Sequence, residues 1–265
     1  MNGKFRSKLN YILLVAVLVF SACIAVACNG NEPYNPYAHD NDFEVTVTDC
    51  EDALEFAPAD FTPKYGVVLY VGILESPEHY AYLANALAKQ GYLVAVSKVR
   101  NTNPDNYNPN ISTLAKYPNV RFFVGGHDIG GGLAVRHAMD YANHNYNVEG
   151  VILYAPRSFS NLKKDEHGQP VVDDENNPIE DHFSIKNLSI PTLLLEVDEV
   201  LRTDELKQTA KDHINDSVTT CREMENASST YFSTRLSSSQ TDENAIAQRE
   251  KTIKYTLEFL KQLSK

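Results

Sequence analysis

The sequence predicts an α/β fold, a mostly parallel sheet flanked by helices on both faces. Three observations carry that expectation. Short stretches dominated by apolar residues at 67–71, 93–96, 120–124, 148–154 and 192–197 have the length of strands in a covered sheet. The stretches between several of them place apolar residues at helical spacing, so strand and helix alternate along the chain. The chain's 265 residues, 43% apolar and 22% charged, suit one domain with one sizeable core, and no repeat at a solenoid period is visible.

Taken in order, residues 43–48 alternate as a strand and 67–71 form a buried one. Tyr80, Leu83, Ala84 and Leu87 fall on one helical face, and Gly91 stops that helix. Residues 93–96 make the next strand, an Asn- and Pro-rich segment at 101–118 holds a short helix near 111–116, and 120–124 lead into a glycine-rich corner. A helix over 130–143, strands over 148–154, 192–197 and 218–224, and helices over 204–213 and 245–263 complete the pattern. The polar stretch 157–187 stands apart as an insertion without a core of its own, read either as a small lid or as a solvated excursion.

The amino-terminal segment is read as a targeting signal. Lys4, Arg6 and Lys8 precede an apolar run over 11–27, which ends at Cys28 and is followed by Asn29-Gly30-Asn31. The layout resembles a bacterial lipoprotein signal, which implies cleavage before Cys28 and lipidation of its thiol. Cys23 as the modified residue, or an uncleaved membrane anchor, are the alternatives. The expected organisation is a signal peptide over 1–27, a tether over 28–42 and a domain over 43–265, held outside the cytoplasm on a membrane. Losing Lys4, Arg6 and Lys8 takes the formal charge from −11 to −14. Such an acidic chain repels phosphate backbones and anionic headgroups, so nucleic acid is excluded as a partner and membrane contact is expected through the lipid alone. Cys50 and Cys221 are expected as two separate, mostly buried thiols at opposite sheet edges.

The chemistry centres on Gly125-Gly126-His127-Asp128-Ile129-Gly130-Gly131, a strand, a tight corner and a helix start. Such a corner holds one side chain in an exposed, strained pose above a sheet, a pose that ordinarily presents a nucleophile. From Tyr65 onward the chain resembles the α/β-hydrolase superfamily, and within it the bacterial dienelactone hydrolase-like and small esterase branch. The resemblance rests on this corner, on the strand and helix before it, on 151–156, on Ile190-Pro191-Thr192 leading to Asp198, and on the closing helix. It implies that Asp128 stands where the nucleophile belongs, Asp198 where the orienting acid belongs, and Ser229 where the histidine belongs. Gly72, Ile73, His127 and Ile129 are then the expected pocket residues.

Two of these positions depart from the superfamily pattern. The nucleophile is an acid, and the base is a serine. No histidine follows His213 in the sequence. His127 and His182 are the remaining candidates for a general base, although His127 precedes the corner residue and should point away from it. Glu75, just after the loop that would supply oxyanion donors, should oppose a developing oxyanion. Aspartate nucleophiles are known in epoxide hydrolases and haloalkane dehalogenases. The sequence contains no tryptophan to hold a halide, and the insertion contains no tyrosine to open an epoxide. No metal-ligand spacing appears, and the three glycines at 130–132 lack the lysine of a phosphate loop, so close packing is expected there and neither metal nor cofactor is. The expected function is a ligand-binding or interaction module for a small molecule or peptide, lacking Ser-His esterase activity. The alternative is an active ester hydrolase using Asp128 with an unaligned histidine.

Overall fold

A computed structural model describes residues 43–98, 112–143, 148–163, 165, 167, 169–199, 203–236 and 241–265. The chain divides into units 1–38 and 39–265, and everything below concerns the second. The signal peptide, Cys28, the tether and the His39-Asp40 pair lie outside the described residues.

The centre of the molecule is an eight-stranded sheet of order β1-β2-β4-β3-β5-β6-β9-β10. Its strands are β1 (Val45–Asp49), β2 (Ala53–Pro58), β3 (Tyr65–Tyr70), β4 (Leu93–Ser97), β5 (Arg121–His127), β6 (Val151–Tyr154), β9 (Thr192–Val197) and β10 (Thr219–Met224). From β4 to β10 every pairing is parallel, and β1 and β2 add an antiparallel margin. β3, β4, β6 and β9 are buried along their whole length, as expected of strands covered on both faces. The helices are α1 (Ala81–Lys89), α2 (Ser112–Lys116), α3 (Ile129–Asn143), α4 (Asp204–Asp212) and α5 (Glu243–Leu263). The segment before α1, read from sequence as its first turn, is a 3-10 turn over Pro77–Tyr80.

β2 escaped the sequence reading. Its Glu55 faces inward at 2% exposure, where Thr113 donates a 2.5 Å hydrogen bond and Lys116 a 2.7 Å charge-assisted one. Both partners sit on α2, so an acid that looks like a loop residue is satisfied only after the chain has folded.

The insertion, read from sequence as a lid or a solvated excursion without a core of its own, is anchored at both ends in the main one: Phe159, Phe183 and Ile185 are almost fully buried and join the main hydrophobic cluster. Between them β7 (Ser160–Leu162) and β8 (Glu180–His182) pair antiparallel. Phe159 stacks on His213, with ring centroids 4.7 Å apart. Beyond that base the insertion is exposed, and Asp173 closes its turn by accepting from the amides of Glu175 and Asn177.

Cys50 follows β1 and Cys221 lies in β10, at opposite margins and unpaired, as expected. Their burial was overstated. Cys221 is exposed and Cys50 half-buried, because both margins of the sheet have no further strand to cover them.

Candidate functional site

Parallel strands deliver their carboxyl ends to one edge of the sheet, where open α/β sheets place their ligands. β3 leads into Val71-Gly72, β5 into Asp128, β6 into Ala155 and β9 into Asp198. Of the three residues expected to carry chemistry, Asp128 follows β5, Asp198 follows β9 and Ser229 lies after β10.

At the corner, Asp128 adopts φ +55°, a left-handed conformation that strains a side-chain-bearing residue by about 1–2 kcal/mol. Three backbone hydrogen bonds hold it there. Its amide donates to the Tyr154 carbonyl at 3.1 Å, and its carbonyl accepts from Gly131 at 3.0 Å and from Arg157 at 2.8 Å. The glycines let the backbone approach closely. A methyl group on Gly126 would run into the Gly130 carbonyl, one on Gly130 into the carbonyls of Tyr70 and Val71, and one on Gly132 into that of Ser158. Tight helix-to-strand packing therefore explains the glycine run, as the sequence suggested.

The Asp128 carboxylate does not stand free above this corner. One oxygen lies 3.3 Å from the Ile73 amide, the kind of donor that would stabilise an oxyanion, and the other lies 3.0 Å from Nε of Arg157. The second contact is an ion pair without hydrogen-bond alignment. The side chain of Asp128 is 13% exposed and that of Arg157 is 35% exposed. The carboxylate is thus charge-paired and already occupies the donor that a substrate's carbonyl oxygen would need. Beside it in the loop after β3, Ile73 and Leu74 are exposed, and Ile129 is half-buried at the start of α3.

His127 is buried and turned away from Asp128, as expected. Its Nδ1 lies 2.7 Å from the Tyr80 hydroxyl, whose oxygen accepts the Gly72 amide at 3.1 Å. The phenolic hydrogen then needs an acceptor, and Nδ1 is in place; this assigns the ring proton to Nε2. Burial pushes the His127 pKa down, opposed by the carboxylates of Asp128 and Glu75. Burial likewise raises the Tyr80 phenol well above its usual range. The pair is neutral and engaged with itself. Tyr80, read from sequence as a packing aromatic, is therefore also a polar support of the loop after β3.

Ser229, at the expected histidine position, begins a 3-10 turn over Ser229–Phe232 and is buried with its backbone against the His127 ring. Gln248 of α5 brackets the residue before it, accepting from the Ser228 amide at 2.8 Å and donating to its carbonyl at 2.9 Å. Asp198 stands exposed at the end of β9, with its amide donating to Met224 at 3.3 Å. His182, the other candidate base, is exposed on β8, 3.8 Å from Glu180, with its ring 6.4 Å from that of His213. Among the described residues, no imidazole contacts Asp128.

Glu75 behaves differently from expectation. Its carboxylate turns to Ser233, whose hydroxyl donates at 2.7 Å, and to His79, whose Nδ1 lies 2.8 Å away. Arg249 of α5, 4% exposed, donates to the carbonyls of Tyr231 and Ser233 at 3.2 Å each. Glu75, His79, Ser233 and Arg249 form a brace from the oxyanion loop to the segment that follows Ser229. Only Arg249 left a sequence signal, a cation on the same helical face as Ala245, Thr252 and Thr256.

The alpha/beta hydrolase family model matches residues 66–253. Among solved structures, the chain is similar to a predicted CIB-like hydrolase from Thermoplasma acidophilum at 15% identity and a TM-score of 0.54, covering 83% of this chain and 98% of that one. It is similar to EstE7, a homologue of HSL from a metagenome library, at 15% identity and a TM-score of 0.55, covering 84% and 88% of the two chains. ESTFA matches at 13% identity and a TM-score of 0.54, with 92% of each chain covered. No curated protein matches the sequence. These likenesses show a shared fold, and the family match across most of the chain gives one conclusion: the chain belongs to the alpha/beta hydrolase family.

Proposed function

We propose that the chain is an exported lipoprotein whose hydrolase scaffold serves as a binding or interaction module, its corner carboxylate no longer a nucleophile. The observation that carries this reading is the state of Asp128. Paired with Arg157, it fills the Ile73 amide with one of its own oxygens, and among the described residues no imidazole is hydrogen-bonded to it. Nucleophilic catalysis needs an activated attacking group and a base within hydrogen-bond reach of the proton it moves. The nearest imidazole, His127, spends its accepting nitrogen on Tyr80. A ligand would meet a charge-neutral Asp-Arg pair beside the exposed apolar residues Ile73 and Leu74, a surface suited to a small molecule or peptide with an apolar group. The basic, apolar and Cys28-bearing leader supports export and anchoring.

The test is hydrolysis of short p-nitrophenyl esters by purified protein. The rate should match buffer alone, and Asp128→Ala should leave it there. Turnover abolished by Asp128→Ala in a folded protein would establish the alternative, an active hydrolase with an unaligned base. Asp128→Ser combined with Ser229→His should restore weak esterase activity if the site descends from a serine hydrolase. Lipidation is tested separately, by the mass of the mature chain and its loss in Cys28→Ser.

A further inference from the structure

The opposite end of the sheet carries an aromatic face. β3 begins there at Tyr65 and β4 at Leu93, and Phe43 and Phe61 pack edge to face with ring centroids 4.9 Å apart. Both rings lie over Gly91, where φ is +94° and an added Cβ would meet them at 3.5 and 3.6 Å. Each phenylalanine is 43% exposed. Beside them opens a cleft of 350 Å³ lined by Phe61, Lys64, Tyr65, Gly91 and Tyr92 among others.

The charges around this cleft differ from those of the whole chain. Lys64 lines it, Arg121 lies 4.4 Å over the Tyr65 ring, Lys261 bonds Gln90 at 3.3 Å, and the Lys265 carbonyl accepts from Tyr65 at 2.8 Å. Glu149 faces Arg121, and Glu44 and Asp60 flank the phenylalanines in sequence. The rim is thus close to charge balance in a protein of net −11. The third observation is connectivity. The chain arrives from Cys28 at Phe43, whose amide donates to Lys89 beside the cleft. Fifteen residues, 28–42, separate the two, a length that reaches no more than about 50 Å even fully extended, so Phe43 lies within that distance of whatever anchors Cys28.

We infer that Phe43, Phe61 and the cleft beside them form a membrane-facing surface that rests on the headgroup layer of a zwitterionic phospholipid bilayer, with the Asp128 corner turned toward water. The inference rests on the lipoprotein reading above and adds a second contact to the expected lipid anchor. Aromatic rings with an apolar body settle at the headgroup level, and lysine or arginine stems reach the phosphates beside them. Near charge balance removes the repulsion that the rest of this acidic surface would meet.

The sequence lacks tryptophan, so one introduced tryptophan reports its own surroundings. Full-length chain carrying Phe61→Trp, or Thr62→Trp on the same rim, would be reconstituted in phosphatidylcholine vesicles with and without brominated lipid. Ile73→Trp at the other end of the sheet is the comparison, and circular dichroism checks each fold. The expected result is blue-shifted emission quenched by bromolipid for positions 61 and 62, and neither effect for position 73. If the protein floats with the vesicles while positions 61 and 62 are unquenched, or all three quench alike, the surface is refuted and the anchor stands. An unmodified Cys28 with quenching at 61 and 62 refutes the anchor and keeps the surface; failure to associate with vesicles refutes both.

Discussion

The two halves of the candidate site have kept different things. The corner half, made by β3, β5 and the start of α3, preserves its geometry: a left-handed Asp128, a helix packed on glycines, and an amide at Ile73 aimed at the corner residue. The acid and histidine half, made by the ends of β9 and β10, holds an exposed Asp198 and a buried serine at position 229. Close packing explains the contrast. The corner is embedded in the core, where a changed backbone would disturb β3, β5 and β6 together. A loop side chain at the end of β9 can lose its role at little cost to folding. On the proposed reading, packing alone would maintain the first half, whereas only catalysis would maintain the second.

If that explanation holds, damage to the corner should cost far more than damage to the other half. Gly130→Ala, whose methyl group would meet two carbonyl groups, should destabilise by about 3 kcal/mol or more in urea unfolding. A cost below about 1 kcal/mol would show that the corner is not held by packing. Arg157→Met should cost about 2 kcal/mol, discounted for the partial exposure of Arg157, because Asp128 keeps its charge and loses its partner. Asp128→Asn in that background should recover part of the loss, and a double-mutant cycle measures the coupling.

The corner half should also be the acid-sensitive one. His137 on α3 is held by burial at a pKa of about 3, against an ordinary 6.5, with the Tyr70 hydroxyl 2.8 Å from its Nδ1. The unfolded chain binds this proton more readily, so the contribution is fully present above pH 6.5 and is lost as pH falls toward 3. Within that window the slope approaches about 1.4 kcal/mol per pH unit. His137→Gln should flatten the acid limb of stability measured between pH 7 and 5, and an unchanged limb would place the titrating group elsewhere. The smallest effect belongs to the other half. Asp198→Asn should change stability by less than about 0.5 kcal/mol, the range of an exposed substitution. A large loss would mean that this half is also under structural constraint.

Legibility followed the range of the interactions. The apolar runs of β3, β4, β5, β6 and β9 announced themselves because burial on both faces leaves no polar alternation. The corner was legible because its glycines and the acid between them are contiguous. β2 was not, since its inward Glu55 makes sense only beside Thr113 and Lys116, which follow it by 58 and 61 residues. The ends of the insertion were misjudged for the same reason: Phe159 and Phe183 sit in a polar stretch, and the surface that covers them is distant in sequence.

By itself the sequence determined the alternating α/β order, the strained corner with an acid at its tip, and the lack of a histidine at position 229, because each is written in neighbouring residues. The tertiary structure alone decided what the acid does. Ile73 and Arg157 come from separate loops to meet Asp128, and Glu75 turns away to Ser233, 158 residues distant. A carboxylate's role depends on the charges and donors within a few ångströms of it, and here folding supplied them from three different strand ends.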